Sequence, residues 1–398
     1  MFSQNWRDRA DKVVMQTYGR QPLVLVKGEG CRVWDEAGKE YLDLVAGLAV
    51  CNLGHAHPDI TRAAGEQLRQ LVHVSNLYYT TPMIELAEEL VQLTFADRVF
   101  FANSGAEAVE GAIKLCRRYA EERFGPARHR IICMHNSFHG RTLGALSATG
   151  QDKFWQGFAP LLPGFVFVPF NDLPALKAAV DDSVCAVLLE PIQGEGGVQL
   201  PRPDYLAGVR RLCDDRELLL VLDEVQTGLG RTGKLFAHEH FGIRPDVMTM
   251  AKALANGLPM SALLATQEVA RAFVPGTHAS TFGGGPVIAA AARAALGLLS
   301  QPDFLAAVRA KGEYLGNKLK DFKARFPVIQ EVRGLGLMWG LELAKEGAPL
   351  LAACREKGLL VNCTQNTIIR LLPPLIIEPP EMDRGLEILA AAFKETFP

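Results

Sequence analysis

The stretch "LLLVLDEVQTGLGRTG", residues 218–233, opens with an unbroken aliphatic run from Leu218 to Leu222 and then stops on a carboxylate, Asp223. A strand without polar alternation is buried on both faces, and in a chain of ordinary composition that means an interior strand of a parallel sheet. The pattern recurs. "RVFFAN", "RIICMHN", "GFVFVPF", "CAVLLEP" and "DVMTMAK" are further short apolar strands set among amphipathic stretches. Apolar strands alternating with helices predict an α/β fold whose mostly parallel sheet is covered on both sides. The large domain is expected to span residues 58–299.

Outside these limits the pattern changes. "CRVWDEAGKEYLDL" alternates like a hairpin with Gly38 in its turn, and "VIQEVRGLGLMWGLEL", "GLLVN" and "TIIRLLP" read as later strands. "PEMDRGLEILAAAFKETF" reads as a last amphipathic helix following a double proline. Residues 300–398 are therefore expected to form a smaller α+β domain, with residues 1–57 contributing to it.

The 398 residues carry a net charge of −2, with 48% hydrophobic and 22% charged residues. That balance offers no basic field for nucleic acid and no polybasic membrane anchor. The partners expected are small molecules or further copies of the chain. The eight cysteines include no CxxC pair, so free thiols in a reducing compartment are expected rather than a metal site or a disulfide framework. "MFSQNWRDRADK" lacks the apolar core of a signal peptide, and no apolar run is long enough to span a bilayer. A cytoplasmic protein is expected.

Open α/β sheets bind ligands at the carboxyl ends of their strands, and unusual residues collect there. In "FFANSGAEAVEGAIKLCRRY" a strand ends at Asn103, Ser104 can cap, Gly105 relaxes the backbone, and helical spacing follows. Free amides at a helix start form an anion site, although a plain N-cap reads the same way. Asp223 ends its strand either paired with a structural arginine or holding a proton on a ligand's ring nitrogen. In "MTMAKALANG", residues 248–257, Lys252 follows another apolar strand and has only small neighbours, Ala251 and Ala253. It is either a snorkelling lysine or an amine whose pKa desolvation lowers, making it a nucleophile toward carbonyls. Anion cradle, strand-end acid and strand-end lysine together describe a site for pyridoxal phosphate.

The ordered motifs "NLGHAHP", "FFANSGAEA", "SFHGRTLG", "EPIQGEGG", "LDEVQTGLGRTG", "AKALANGLP", "STFGGGP" and "RLLPPLII" cover nearly the whole chain. In them the sequence closely resembles the class III (subgroup II) aminotransferases of fold type I, and among these the acetylornithine aminotransferases. The resemblance implies pyridoxal 5′-phosphate as cofactor, Lys252 as its Schiff-base lysine and Asp223 as the partner of the ring nitrogen. It places Ser104, Gly105 and Ala106 at the phosphate, Phe138 and Val225 on opposite ring faces, and Gln226 near the phenolic oxygen. Thr281 matches a threonine that reaches the phosphate of the neighbouring subunit, which implies a homodimer with shared sites.

The resemblance also implies a substrate site of Tyr18, Arg141, Glu195, Ser280 and Arg370. Arg141 matches the grip on the carboxylate distal to the reacting carbon, and Arg370 the grip on the α-carboxylate of 2-oxoglutarate or glutamate. Guanidinium suits both, because it holds a carboxylate through two parallel hydrogen bonds. Glu195 matches a gate that pairs with Arg370 while the ω-amine donor is bound. The implied reaction moves the δ-amino group of N2-acetylornithine to 2-oxoglutarate, in arginine biosynthesis. N-succinylornithine, N-succinyldiaminopimelate, ornithine and 4-aminobutyrate are rival donors, and a non-catalytic cofactor-binding protein is the rival of another class. Val109, Ala279 and Gly285 depart from the residues common in the family at their positions, the last two near the intersubunit phosphate contact.

Overall fold

The protein, described here by a computed structural model over residues 5–398, is built around a sheet of seven strands. Their order is Arg98–Ala102, Ser261–Ala265, Val247–Met250, Leu219–Asp223, Val184–Leu189, Arg130–Met134 and Phe165–Val168. From Val247–Met250 to Phe165–Val168 the neighbours are parallel. The six apolar strands expected from the sequence all lie in this sheet. Its seventh, Ser261–Ala265, is not foreseen, and it runs antiparallel to both neighbours. Alanine and leucine in "SALLA" favour helix, so the slot between two strands decides its form.

Burial on both faces follows from the period of two along each strand. Ile131, Cys133, Leu219 and Val221 pack with Ile113 and Cys116 of helix Gly105–Phe124. Their alternates Ile132, Met134, Leu220 and Leu222 pack with Leu206, Val209 and Cys213 of helix Tyr205–Asp215 on the other face. Each such aliphatic side chain contributes roughly 1.5–3 kcal/mol when fully buried.

Two four-stranded sheets complete the architecture. One joins Leu25–Glu29, Arg32–Asp35 and Glu40–Asp43 to Leu359–Leu360, so strands from both ends of the chain share a sheet. The other is antiparallel, in the order Ile329–Leu335, Met338–Leu343, Ile368–Leu371, Asn362–Thr364. Helix Pro379–Thr396 closes the fold, with Leu386, Leu389 and Phe393 in its core. Among the described residues no helix is long and apolar enough to cross a membrane.

The large sheet positions the site. Asp223 ends one strand, Glu190 follows Leu189, Lys252 follows Met250, and Ser104 follows Ala102. All four positions lie at the carboxyl edge of the sheet, where the chain turns from strand into loop or helix.

Candidate active site

At that edge lies a cavity of about 430 Å³. Ser104, Gly105 and Ala106 line it from the start of helix Gly105–Phe124, together with Phe138, Arg141, Glu195, Asp223, Val225, Gln226 and Lys252. Ser104 caps that helix, its Oγ accepting from the Glu107 amide at 3.3 Å. Gly105 is fixed by a close approach: a Cβ there would stand 3.0 Å from a Val225 methyl. The first-turn amides therefore open onto the cavity at the positive end of a twenty-residue helix.

Lys252 leaves its strand through a left-handed backbone, φ +48°. That conformation costs a non-glycine residue about 1 kcal/mol or more. Burial holds its pKa below the ordinary lysine value; the Glu195 carboxylate opposes the shift and the Arg370 cation adds to it. The amine is thus biased toward its neutral, nucleophilic form.

Asp223, 4% exposed, is fixed on both oxygens. Its Oδ2 lies 2.7 Å from His139 Nδ1, while Oδ1 accepts from the Val225 amide and the Thr249 hydroxyl, each at 3.1 Å. No arginine pairs with it among the described residues, so the structural-arginine reading falls away. His139 Nε2 is buried without a hydrogen-bond partner among the described residues. Behind this pair Glu190 accepts from the Phe138 and Gly194 amides at 3.1 and 3.0 Å, and burial pushes its pKa up to about 7.

Glu195 and Arg370 form an ion pair, Oε1 to Nη1 2.7 Å. Desolvation works against the Glu195 carboxylate, yet the charge and hydrogen bond of Arg370 outweigh it and hold the pKa below the ordinary value. Arg370 is 1% exposed, and Glu195 and Gln226 line the cavity where it does not. Gln226 Oε1 also accepts from Arg370 Nη1 at 3.1 Å, so its side chain serves the arginine. Arg141 is exposed at the cavity and stacks its guanidinium 3.9 Å from the Phe154 ring centre.

Three expected residues stand apart from this cavity. Tyr18 is 72% exposed, with the Arg20 guanidinium 5.2 Å from its ring. Ser280 and Thr281 line a separate surface hollow with His278 and Phe282, where Ser280 Oγ accepts from Asn103 Nδ2 at 3.3 Å. Val109, one of the departures, is fully buried on the core face of its helix. His139, Glu190 and Asn362 (which bonds Arg370) are not anticipated from the sequence. Glu190 ends an aliphatic strand just as Asp223 does, and that signal would have found it.

Comparison with known proteins gives the family. The model of the "Aminotransferase class-III" family matches residues 14–393. The acetylornithine aminotransferase of Caldanaerobacter subterraneus subsp. tengcongensis is 51% identical over 385 residues, 96% of this chain and 98% of that protein. That of Methanocaldococcus jannaschii is 48% identical over 395 residues, 99% of each. The ornithine aminotransferase of Toxoplasma gondii, in a structure with partial occupancy of PLP at its active site, superposes with a TM-score of 0.94. It is 33% identical and aligns over 98% of this chain and 95% of its own. With a family model covering almost the full sequence and relatives near half identity, the chain belongs to the class III aminotransferases, enzymes of the fold type I architecture.

Proposed function

We propose that this enzyme transfers the δ-amino group of N2-acetylornithine to 2-oxoglutarate, giving N-acetylglutamate semialdehyde and glutamate, with pyridoxal 5′-phosphate as cofactor. The observation that carries the reading is the pairing of buried Arg370 with half-buried Glu195 at 2.7 Å, beside a cavity that holds both Lys252 and Asp223.

The residues present fit that cofactor. The donor set matches three of its polar groups: helix amides at Ser104, Gly105 and Ala106 for a phosphate, a buried carboxylate for a ring nitrogen, and a depressed amine for an aldehyde. Phe138 and Val225 supply apolar walls for a planar ring. When bound, pyridoxal phosphate supplies an aldehyde that exchanges amines and a ring that accepts the electrons of a deprotonated carbon. In the proposed site Asp223, oriented by His139 and Thr249, keeps the ring nitrogen protonated. Lys252 carries a proton between the substrate carbon and the cofactor side. Reduction with borohydride followed by peptide mass spectrometry should find a pyridoxyl group on Lys252 and nowhere else. A reduced adduct on another lysine would remove Lys252 from this role.

The gate answers a problem of charge. An ω-amine donor has no carboxylate beside its reacting carbon, and an unpaired Arg370 there would be a costly buried cation. Glu195 neutralises Arg370 during the donor half and yields it to the keto acid in the other. Arg141 grips the distal carboxylate that both substrates carry. We also propose the division at residues 58 and 300, supported by the large sheet lying wholly within 98–265 and the strands of the two smaller sheets lying outside it. The substrate reading, with its place in arginine biosynthesis, draws on the names of the two relatives above. A steady-state panel of donors with 2-oxoglutarate tests it. N-acetylornithine should give the highest kcat/KM, and a panel led by free ornithine or 4-aminobutyrate would overturn it.

A further inference from the structure

We propose that Asn362 is a positioning residue that fits Arg370 for a keto-acid carboxylate by holding its guanidinium with a neutral acceptor. The inference rests on the gate reading above. Asn362 and Arg370 are directly opposed in the antiparallel pair Asn362–Thr364 and Ile368–Leu371. That register brings the amide oxygen of Asn362 against one edge of the guanidinium, where it accepts from Nε at 3.2 Å and from Nη2 at 2.7 Å.

The hydrogen count then assigns every contact. A guanidinium has five N–H groups: one on Nε and two on each Nη. Asn362 takes the Nε hydrogen and one from Nη2, Gln226 takes one from Nη1, and Glu195 takes the other from Nη1. One Nη2 hydrogen remains. When Glu195 leaves, one hydrogen on Nη1 and the unused one on Nη2 are both open to an incoming carboxylate, which can accept from the two at once. The two acceptors that stay behind, Asn362 and Gln226, are both neutral amides. Among the described residues Glu195 is therefore the only negative charge bonded to Arg370, and removing it exposes a full positive charge. An aspartate at position 362 would keep the accepting oxygen but neutralise the arginine permanently, so the α-carboxylate would meet no net attraction.

This ordering separates orientation from packing. In the holoenzyme, Asn362→Asp should lower kcat/KM for 2-oxoglutarate on the order of a hundredfold, and Asn362→Ala about tenfold. Calorimetric binding of glutarate, an unreactive dicarboxylate, should weaken in the same order, and the donor half should fall far less in both variants. A residue serving packing alone would make alanine the worse change and damage both halves together; either result overturns the proposal. Combining Asn362→Asp with Glu195→Gln returns one negative charge to Arg370, so the donor half lost in Glu195→Gln should recover while the keto-acid half stays poor. No recovery would also count against it. Arg370→Ala keeps the two readings apart. Equal damage to both halves in that variant sinks the gate itself, whereas selective damage with the wrong order at Asn362 sinks only this inference.

Discussion

Two arginines of different exposure are asked to do different work. Arg141, exposed over Phe154, should contact both substrates, whereas Arg370, covered by Glu195 and Gln226, should contact only the keto acid or glutamate. Losing a desolvated bidentate contact costs about 2–5 kcal/mol, on the order of a hundredfold or more in rate. Arg370→Ala should cost chiefly the 2-oxoglutarate half, by that order, whereas Arg141→Ala should damage both half-reactions alike, as read by single-turnover absorbance of the cofactor. Glu190 is a second residue with a measurable consequence. Burial raises its pKa to about 7, so the folded protein keeps a proton that the unfolded chain releases near the ordinary glutamate value. The stability this proton contributes is complete below about pH 4.3 and is lost as pH rises through about 7. Glu190→Gln cannot ionise and should flatten that fall, seen as melting temperature against pH. Identical slopes in both proteins would mean that the Phe138 and Gly194 amides already hold the carboxyl ionised.

The loop "GEGG", residues 194–197, shows how an element constrains a moving residue. The Glu195 carbonyl accepts from the Thr364 hydroxyl at 2.6 Å and from Gln365 Nε2 at 2.8 Å. Arg333 donates to the Gly197 and Val198 carbonyls, and Glu190 accepts from the Gly194 amide. With its backbone tied on both sides, Glu195 is left to move by side-chain rotation. Gly194 has no room for a Cβ, which would run into Gln226 Oε1. Gly194→Ala should therefore push Gln226 off Arg370 and raise KM for 2-oxoglutarate about tenfold, with a smaller effect on the donor. An unchanged KM in steady-state assays would show that Gln226 does not help to hold the arginine. These ties join residues far apart in the chain, which is why the sequence does not display them. Apolar runs ending in Asp223, Asn103 and Lys252 were legible because burial and strand period leave a local pattern. Asn362 leaves none, since its importance comes from a strand register across from Arg370. Ser261–Ala265 was hidden for the opposite reason: its local preference contradicts the sheet that captures it.

At the scale of the whole molecule, an exposed apolar patch spans two loops. Leu77 is 84% exposed, Tyr79 91% and Phe282 65%, and Asn76 Nδ2 ties their two loops by donating to the Ser280 and Gly283 carbonyls. Exposed apolar patches of this kind mark interaction surfaces, and Thr281 sits beside Phe282 within this one. We propose that a second copy of the chain covers the patch, and that Thr281 of the partner subunit then completes the phosphate site. On that proposal, dimer formation and cofactor binding are linked. Cofactor at a hundredfold its Kd should stabilise the state that binds it by about 2.7 kcal/mol, and dilution to monomer should release it. Leu77→Asp combined with Tyr79→Asp should dissociate the dimer and empty the site together. Thr281→Ala should leave association intact yet weaken cofactor binding by about tenfold, the loss of one hydrogen bond to a charged group. Sedimentation over a range of protein concentrations, monitored both at the cofactor's absorbance and at the protein's, reads the two properties in one experiment. A monomer that sediments with full cofactor and full activity would show that each chain builds its site alone.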